Sequence, residues 1–307
     1  MKKLLLTGGS GLLATNWALL KRGSFEVTLG IHKRDIKLKG TSIFKLQLDN
    51  LKKLDGDIMK IKPDVIVHTA ALSNVELCEE NFPHSVLSNV LLGCHIATIC
   101  AQKGIQMVHI STDHLFNGET PLVNELSDLN PLNNYAKSKA LAEQRILEIY
   151  PKVLIIRTNF FGWGTNYRKS FSDFIIENLR KDKKIKLFSD VYFTPILISE
   201  LVRVVHLLLE QKASGIFHVC GNERISKFEF GMLIAKVFEL KLKNIEPDLI
   251  LKRTELVQRP MDMSLCNHKI TKEFLIPIQN LNNQLFDLNK QEQNGIASEL
   301  QSININS

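Results

Sequence analysis

A short apolar run, Lys3-Leu4-Leu5-Leu6-Thr7, leads without interruption into Gly8-Gly9-Ser10-Gly11-Leu12-Leu13-Ala14, after which Asn16 to Lys21 reads as helix. Few folds accommodate this. A buried strand must end in a turn tight enough to need glycine, and that turn must feed a helix whose first N–H groups have no partner within the helix. Such a unit opens a doubly wound α/β fold of the Rossmann type, and it turns unpaired backbone N–H groups toward a pyrophosphate. Gly9-x-Gly11-x-x-Ala14 fits the dinucleotide fingerprint with alanine in the last place, where a methyl still allows helix to pack on strand. The competing reading of the glycines is a flexible turn, and their position directly after a strand favours the first.

The rest of the chain continues the alternation. A second strand is expected over 25–31, and its end is where a dinucleotide's adenosine ribose is read. Gly30-Ile31-His32-Lys33-Arg34 precedes any acid there. Two cations suit a 2'-phosphate, so Lys33 and Arg34 point to NADP (NADPH) rather than NAD. The alternative is that both are ordinary loop cations and Asp35 swings back to the ribose of NADH. Strands follow over 43–48 and 64–69, the latter running into Ala70-Ala71, whose small side chains let a cofactor come close at the sheet's carboxyl edge. A helical stretch spans 84–103, a strand ends at Ser111-Thr112, and a sixth strand covers 153–157. Beyond 164 the alternation loosens into a smaller C-terminal substrate-binding lobe, with helices over 171–180, 198–210 and 227–238 and strands over 185–188 and 215–220. We expect 1–163 to hold the cofactor with 194–220 returning to it, 164–280 to form mainly the lobe, and 281–307 to be a polar tail, unstructured over 302–307.

Chemistry is carried by two stretches. One is the strand end Ser111-Thr112-Asp113; the other is a helix bearing Tyr135 and, four residues on, Lys139. Positions i and i+4 share a helix face, so the ammonium can lie beneath the phenol. A free phenol titrates near pH ~10, and a neighbouring cation lowers that value toward the range in which a group gives and accepts protons. Carbonyl reduction needs such a group, because hydride arriving at carbon leaves charge on oxygen. Thr112 can place a hydroxyl on the same oxygen, with Ser111 as its rival because neighbouring strand residues face opposite sides. By itself a Tyr-x-x-x-Lys pair arises by chance on solvated helices; beside the glycine turn it does not stand alone.

With these motifs the chain resembles the extended short-chain dehydrogenase/reductase family, and within it the dTDP-4-dehydrorhamnose reductase branch. The resemblance rests on Thr7-Gly8-Gly9-Ser10-Gly11-Leu12-Leu13-Ala14, on Ser111-Thr112-Asp113-His114-Leu115-Phe116-Asn117-Gly118, on Pro131-Leu132-Asn133-Asn134-Tyr135-Ala136-Lys137-Ser138-Lys139, and on Arg259-Pro260 followed by Ser264. It implies a catalytic triad of Thr112, Tyr135 and Lys139. It implies cofactor contacts from Gly8, Ser10, Gly11, Leu12, Leu13, Lys33, Arg34, Asp49, Asn50, Ala70, Ala71, Tyr135 and Lys139. It further implies substrate contacts from Ser73, Asn74, Asn89, Asp113 and Arg259, the last as a diphosphate clamp. Asp49-Asn50 reads equally as a turn and helix cap, Asn89 as a core-satisfied amide, and Arg259 as a surface arginine. His114 and Asn117 depart from the branch's pattern. The implied activity is NADP-dependent reduction of a nucleotide-activated 4-keto-6-deoxy sugar in polysaccharide biosynthesis. Epimerases and 4,6-dehydratases share fold and triad, but the dehydratases follow the threonine with Asp-Glu, whereas this chain has Asp113-His114. A non-catalytic regulatory subunit of the same branch needs no triad.

Composition agrees with a globular enzyme: 44% apolar and 23% charged residues over 307 positions. The net charge of +7 suits an anionic ligand; it does not indicate nucleic acid, because the densest basic run, Arg180-Lys181-Asp182-Lys183-Lys184, is short and broken by an acid. Five cysteines without a CxxC pair read as reduced thiols of a cytoplasmic protein, and no metal-spaced cluster is present. His68 and His109 lie in apolar strands and read as structural. Gly8 ends the first apolar run too early for a signal peptide, and no apolar stretch of membrane-spanning length is expected. The partner implied is a nucleotide sugar, with homodimer formation left open.

Overall fold

The computed structural model describes residues 1–48 and 50–303. The strands β1 (Lys3–Thr7), β2 (Glu26–Ile31), β3 (Ser42–Lys45), β4 (Val65–His68), β5 (Gln106–Ile110) and β6 (Leu154–Arg157) lie in one sheet. Four short strands come next, β7 (Phe160–Phe161), β8 (Ile185–Phe188), β9 (Tyr192–Phe193) and β10 (Ile196–Leu197), before β11 (Gly215–His218) joins the sheet as its seventh member. Its order is β11-β6-β5-β4-β1-β2-β3, and every pairing is parallel. The chain runs outward from β1 to β3 and then crosses back to β4. That reversal separates the loops above β1 and β4 and opens the crevice where such sheets bind ligands.

Helices cover both faces: α1 (Leu12–Lys21), α2 (Leu51–Ile61), α3 (Val75–Glu80), α4 (Phe82–Ser85), α5 (Leu92–Lys103), α6 (Asn134–Ile149), α7 (Phe171–Arg180) and α8 (Ile198–Glu210). Strand alternation divides the core between them. Leu5, Ile66 and Ile155 pack with α2, α5 and α6 on one face. Leu4, Leu6, Val65 and Val67 pack with α1 and α8 on the other, in a cluster that runs on into the C-terminal lobe. Trp17 Nε1 donates to His206 Nε2 at 3.0 Å and ties α1 to α8. The return of 198–218 to the sheet is therefore both a helix packed on α1 and a strand beside β6.

In the lobe, β12 (Ile225–Ser226) pairs with β9 and leads into α9 (Lys227–Val237), while β13 (Ile245–Asp248) pairs with β8. Of three aromatics leaving β6, Phe161 and Trp163 are core and Phe160 is half-buried.

Two expectations are corrected. The helical stretch Phe82–Lys103, with a π-helical turn at Val86–Leu91, is long and apolar enough by length and composition to cross a membrane. Half of its apolar window is buried within the protein, where it packs on α6, as the core helix of a sheet does. Residues from 281 do not form a tail: they fold as α10 (Leu281–Gln293) and α11 (Ile296–Gln301). Leu281, Leu285 and Leu288, at helical spacing among Asn and Gln, are buried, and Trp163 Nε1 donates to Leu288 O at 2.9 Å. The polar residues are recruited too, since buried Gln284 accepts from Leu197 N at 2.7 Å. Ile303 is also buried, and residues 304–307 lie outside those described.

Candidate active site

The site is assembled from the carboxyl edges of β1, β2, β4 and β5. Gly8 has φ +67°, and a Cβ there would lie 2.8 Å from the Cα and N of Ala70, so the turn after β1 and the segment after β4 meet backbone to backbone. No side chain caps the start of α1 at Gly11, and its first intrahelical acceptance is Thr15 N to Gly11 O at 3.0 Å. The backbone donors of Leu12 and Leu13 thus lie in an uncapped first turn, the electropositive end of the helix. Glycine cradle and uncapped turn together fit a dinucleotide's pyrophosphate. Tyr167, from the loop before α7, reaches across and donates to Ser10 O at 3.0 Å.

Lys33 and Arg34 are exposed just beyond β2, with the Arg34 guanidinium 5.9 Å above the Tyr167 ring. Asn50 serves as a cap, its side chain accepting from Lys53 N at 3.1 Å, while Asp49 lies outside the described residues. Beyond Ala70 and the exposed Ala71, Ser73 Oγ accepts from Arg168 at 3.3 Å, and Asn74 caps α3 through Leu77 N at 2.9 Å. Asn89 is engaged within the protein. It is buried in the π-helical turn, where its oxygen accepts from Leu72 N at 2.7 Å and its amide donates to Leu72 O at 3.1 Å and Ser138 Oγ at 2.9 Å. Its amide ties the loop after β4 to α6.

Thr112, not Ser111, lies with Tyr135. The Thr112 hydroxyl lies near enough to the phenol to favour its ionised form, donates to Asp113 Oδ1 at 3.2 Å and accepts from His114 N at 3.3 Å. Ser111 Oγ is buried with no partner among the described residues. Asp113 is buried, and its other oxygen accepts from Asn159 Nδ2 at 2.5 Å. His114 stands edge-on to the Tyr135 ring, centroids 5.7 Å apart.

Lys139 departs from the expected arrangement. Its ammonium turns inward, donating to Ile110 O at 2.6 Å and meeting His109 Nε2 at 3.2 Å. Tyr135 is accordingly not made acidic. Burial pushes the phenol up to about 12, Asp113 and Cys78 add to the rise, and only the Thr112 hydroxyl opposes it. Burial lowers Lys139 to about 8, against the pull of Glu143 one turn further along α6. Glu143 is itself held in a buried pair with Arg157, at 2.7 Å. Beneath Lys139, His109 is held well below its ordinary value by burial and by the ammonium, so its ring stays neutral and can accept. His68, 5.3 Å away and bonded to Thr7 Oγ1 at 2.7 Å, continues this buried polar column.

Arg259 pairs with Glu76 of α3, which brings the late Arg-Pro segment against the loop after β4. Four further residues hold the site together. Asn133 caps α6 through Ala136 N at 2.9 Å while donating to Gln258 O at 2.9 Å. Asn159 orients Asp113, and Tyr167 and Arg168 bridge the crevice. Only the asparagine before the tyrosine helix offered a signal, as a good N-cap residue.

A family model described as the RmlD substrate binding domain matches residues 1–294. The chain belongs to that family. It is 27% identical over 246 residues to dTDP-4-dehydrorhamnose reductase of Aggregatibacter actinomycetemcomitans, spanning 76% of this chain and 78% of the relative. It is 26% identical over 259 residues to methionine adenosyltransferase 2 subunit beta of Xenopus laevis, spanning 80% and 75%. Among solved structures, dTDP-4-dehydrorhamnose reductase of Bacillus anthracis in complex with NADP superposes with a TM-score of 0.84 at 22% identity, over 95% of this chain and 100% of that one. This RmlD-family chain therefore shares its parallel sheet with nicotinamide-binding proteins and its sequence with sugar-nucleotide reductases.

Proposed function

We propose that this protein reduces the keto group of a nucleotide-activated 4-keto-6-deoxy sugar, drawing on NADPH. The observation that carries the reading is the meeting of Thr112, Asp113 and a protonated Tyr135 at the end of β5, on the same sheet edge where the glycine turn meets the segment after β4. Bound in the crevice, a nicotinamide dinucleotide would supply the hydride. Gly8, Ser10, Gly11, Leu12, Leu13, Ala70 and Ala71 would hold its backbone, Lys139 its nicotinamide ribose, and Lys33 and Arg34 a 2'-phosphate.

Tyr135, kept neutral by burial, is fit to donate its proton to the carbonyl oxygen as charge develops there. Thr112 adds a second hydroxyl to that oxygen. Asp113, oriented by Asn159, would accept from a sugar hydroxyl. Arg259 would meet the diphosphate once it shares or releases Glu76. Residues 1–163 with 194–220 would then serve the cofactor and 164–280 the sugar.

The test is absorbance of NADPH and of NADH with a panel of nucleotide 4-keto sugars, wild type against Tyr135→Phe. Turnover by wild type and its collapse in the variant would support the reading. The likeness to methionine adenosyltransferase 2 subunit beta favours a second one, a chain that keeps the fold in order to bind another protein. NADPH binding without oxidation by any sugar of the panel would favour that alternative.

A further inference from the structure

Lys227 is the first residue of α9, and its backbone is fixed on three sides. Its N–H donates to Val191 O at 3.0 Å, the preceding Ser226 is paired with Tyr192, and Ser226 and Glu229 form a reciprocal capping box. The side chain crosses β9 and rests on aromatic faces, with Nζ 3.3 Å above the Phe193 ring and 5.1 Å from that of Phe171. No hydrogen bond and no carboxylate within ion-pair distance reaches this ammonium among the described residues. Its neighbour Arg224 shows the contrast. Arg224 lies 3.8 Å over Tyr192 and also holds Asp262, so it is satisfied by the protein alone.

A surface lysine normally extends its head into water, and a buried one normally takes a carboxylate. Lys227 is half-buried, takes no carboxylate, and rests its head on an aromatic ring. Groups of the candidate site sense it: burial lowers Lys227 to about 8 while Asp113 favours its ammonium, and His114, lowered first by burial, is lowered further by Lys227 and Arg259. His114 carries a buried Nδ1 that also lacks a partner among the described residues, on a ring edge-on to Tyr135. The Asp113 end of the site thus holds a buried His114 nitrogen without a hydrogen-bond partner, edge-on to the phenol, and feels the ammonium that rests on Phe193.

We propose that Lys227 is a substrate-binding residue, an ammonium braced on Phe193 that donates to the sugar hydroxyl beside the reacting carbonyl, with Asp113 and His114 completing the set. This rests on the reductase reading above. Such an arrangement selects a hydroxylated sugar ring over a deoxygenated one, because without the hydroxyl the cation keeps its aromatic rest but gains no hydrogen-bond acceptor.

The experiment compares wild type with Lys227→Met, which keeps the stem over Phe193 and removes the charge. Two nucleotide 4-keto-6-deoxy sugars are used, one with the 3-hydroxyl and one without it. On the hydroxylated sugar kcat/KM should fall roughly 10- to 100-fold in the variant, the size of a hydrogen bond to a charged group. On the 3-deoxy sugar the two proteins should nearly coincide, with Kd for NADPH and for the free nucleoside diphosphate unchanged. An equal loss on both sugars, no loss on either, or weakened diphosphate binding would overturn the assignment while leaving the reductase reading in place. A wild type that turns over neither sugar would bring down both.

Discussion

Lys139 is joined to His109, Nζ to Nε2 at 3.2 Å, and not to Tyr135. The i, i+4 spacing sets both side chains on one face of α6, but the strand end offers the ammonium a carbonyl and a neutral imidazole, and it takes those. Lys139 and Tyr135 are thus separate groups, a buried cation and a neutral phenol.

Tyr135→Phe should lower kcat by roughly 100- to 10,000-fold, the range of general-acid contributions. Cofactor affinity should change little, because the ring and its contact with His114 remain. Kinetics and a fluorescence titration with NADPH check both halves.

Alkaline pH should disable the enzyme from the lysine side. Burial lowers both Lys139 and Lys227 to about 8, so each ammonium is present below that pH and lost above it. Tyr135, at about 12, does not titrate in this range. The logarithm of kcat/KM should therefore fall above pH 8 with a slope approaching two protons, and approaching one in Lys227→Met. A flat profile to pH 10 would contradict the assignment of these cations to the site.

Acid should destabilise the fold through its buried histidines. Burial holds His68, His206 and His218 neutral down to about 3, whereas the unfolded chain protonates them near their ordinary 6.5. Between those values the unfolded state binds more protons, so stability falls as pH falls, by about 1.4 kcal/mol per pH unit for each histidine fully in that window. Urea midpoints measured from pH 7 to 4 should drop steadily, and a level profile would show that these rings take up protons in the folded state.

Removing both cations beyond β2 in a Lys33→Ala, Arg34→Ala variant should weaken NADPH roughly 10- to 100-fold and leave NADH nearly unchanged, since only the former carries a 2'-phosphate. Calorimetric titrations with the two dinucleotides decide this. Equal effects would mean that the pair is loop charge.

Asn133→Ala removes the cap of α6 and the tie to Gln258 together. Cap loss alone costs about 1 kcal/mol. The midpoint of thermal unfolding should fall by roughly 2–4 °C per kcal/mol, and KM should rise as well, because the segment released carries Arg259.

Much of this was legible in residue order. The glycine turn, the hydroxyls ending β5 and the Tyr-x-x-x-Lys helix are contiguous motifs, and strand–helix alternation specified the sheet. What stayed hidden depends on residues far apart. Asn159 meets Asp113 across 46 positions and Asn133 meets Gln258 across 125, and neither partner is marked by the residues around it. Lys227 reads as one more helix-start cation until β9 brings Phe193 beneath it. Residues 281–301 misled for the opposite reason: their Asn and Gln content suggests solvent, and only three leucines at helical spacing, with Leu300 in the next helix, mark the face that is buried.

Those last two helices have a bearing on synthesis. Trp163, at the junction of sheet and lobe, takes its acceptor from Leu288, and Leu197, at the start of α8, takes its own from Gln284. A nascent chain can assemble the first six strands as they emerge, but these two donors stay unmatched until the ribosome has delivered residues 281–301. Chains stalled or clipped before that point should accumulate as clients of chaperones and proteases, able to form the glycine cradle yet unable to hold the C-terminal lobe against it.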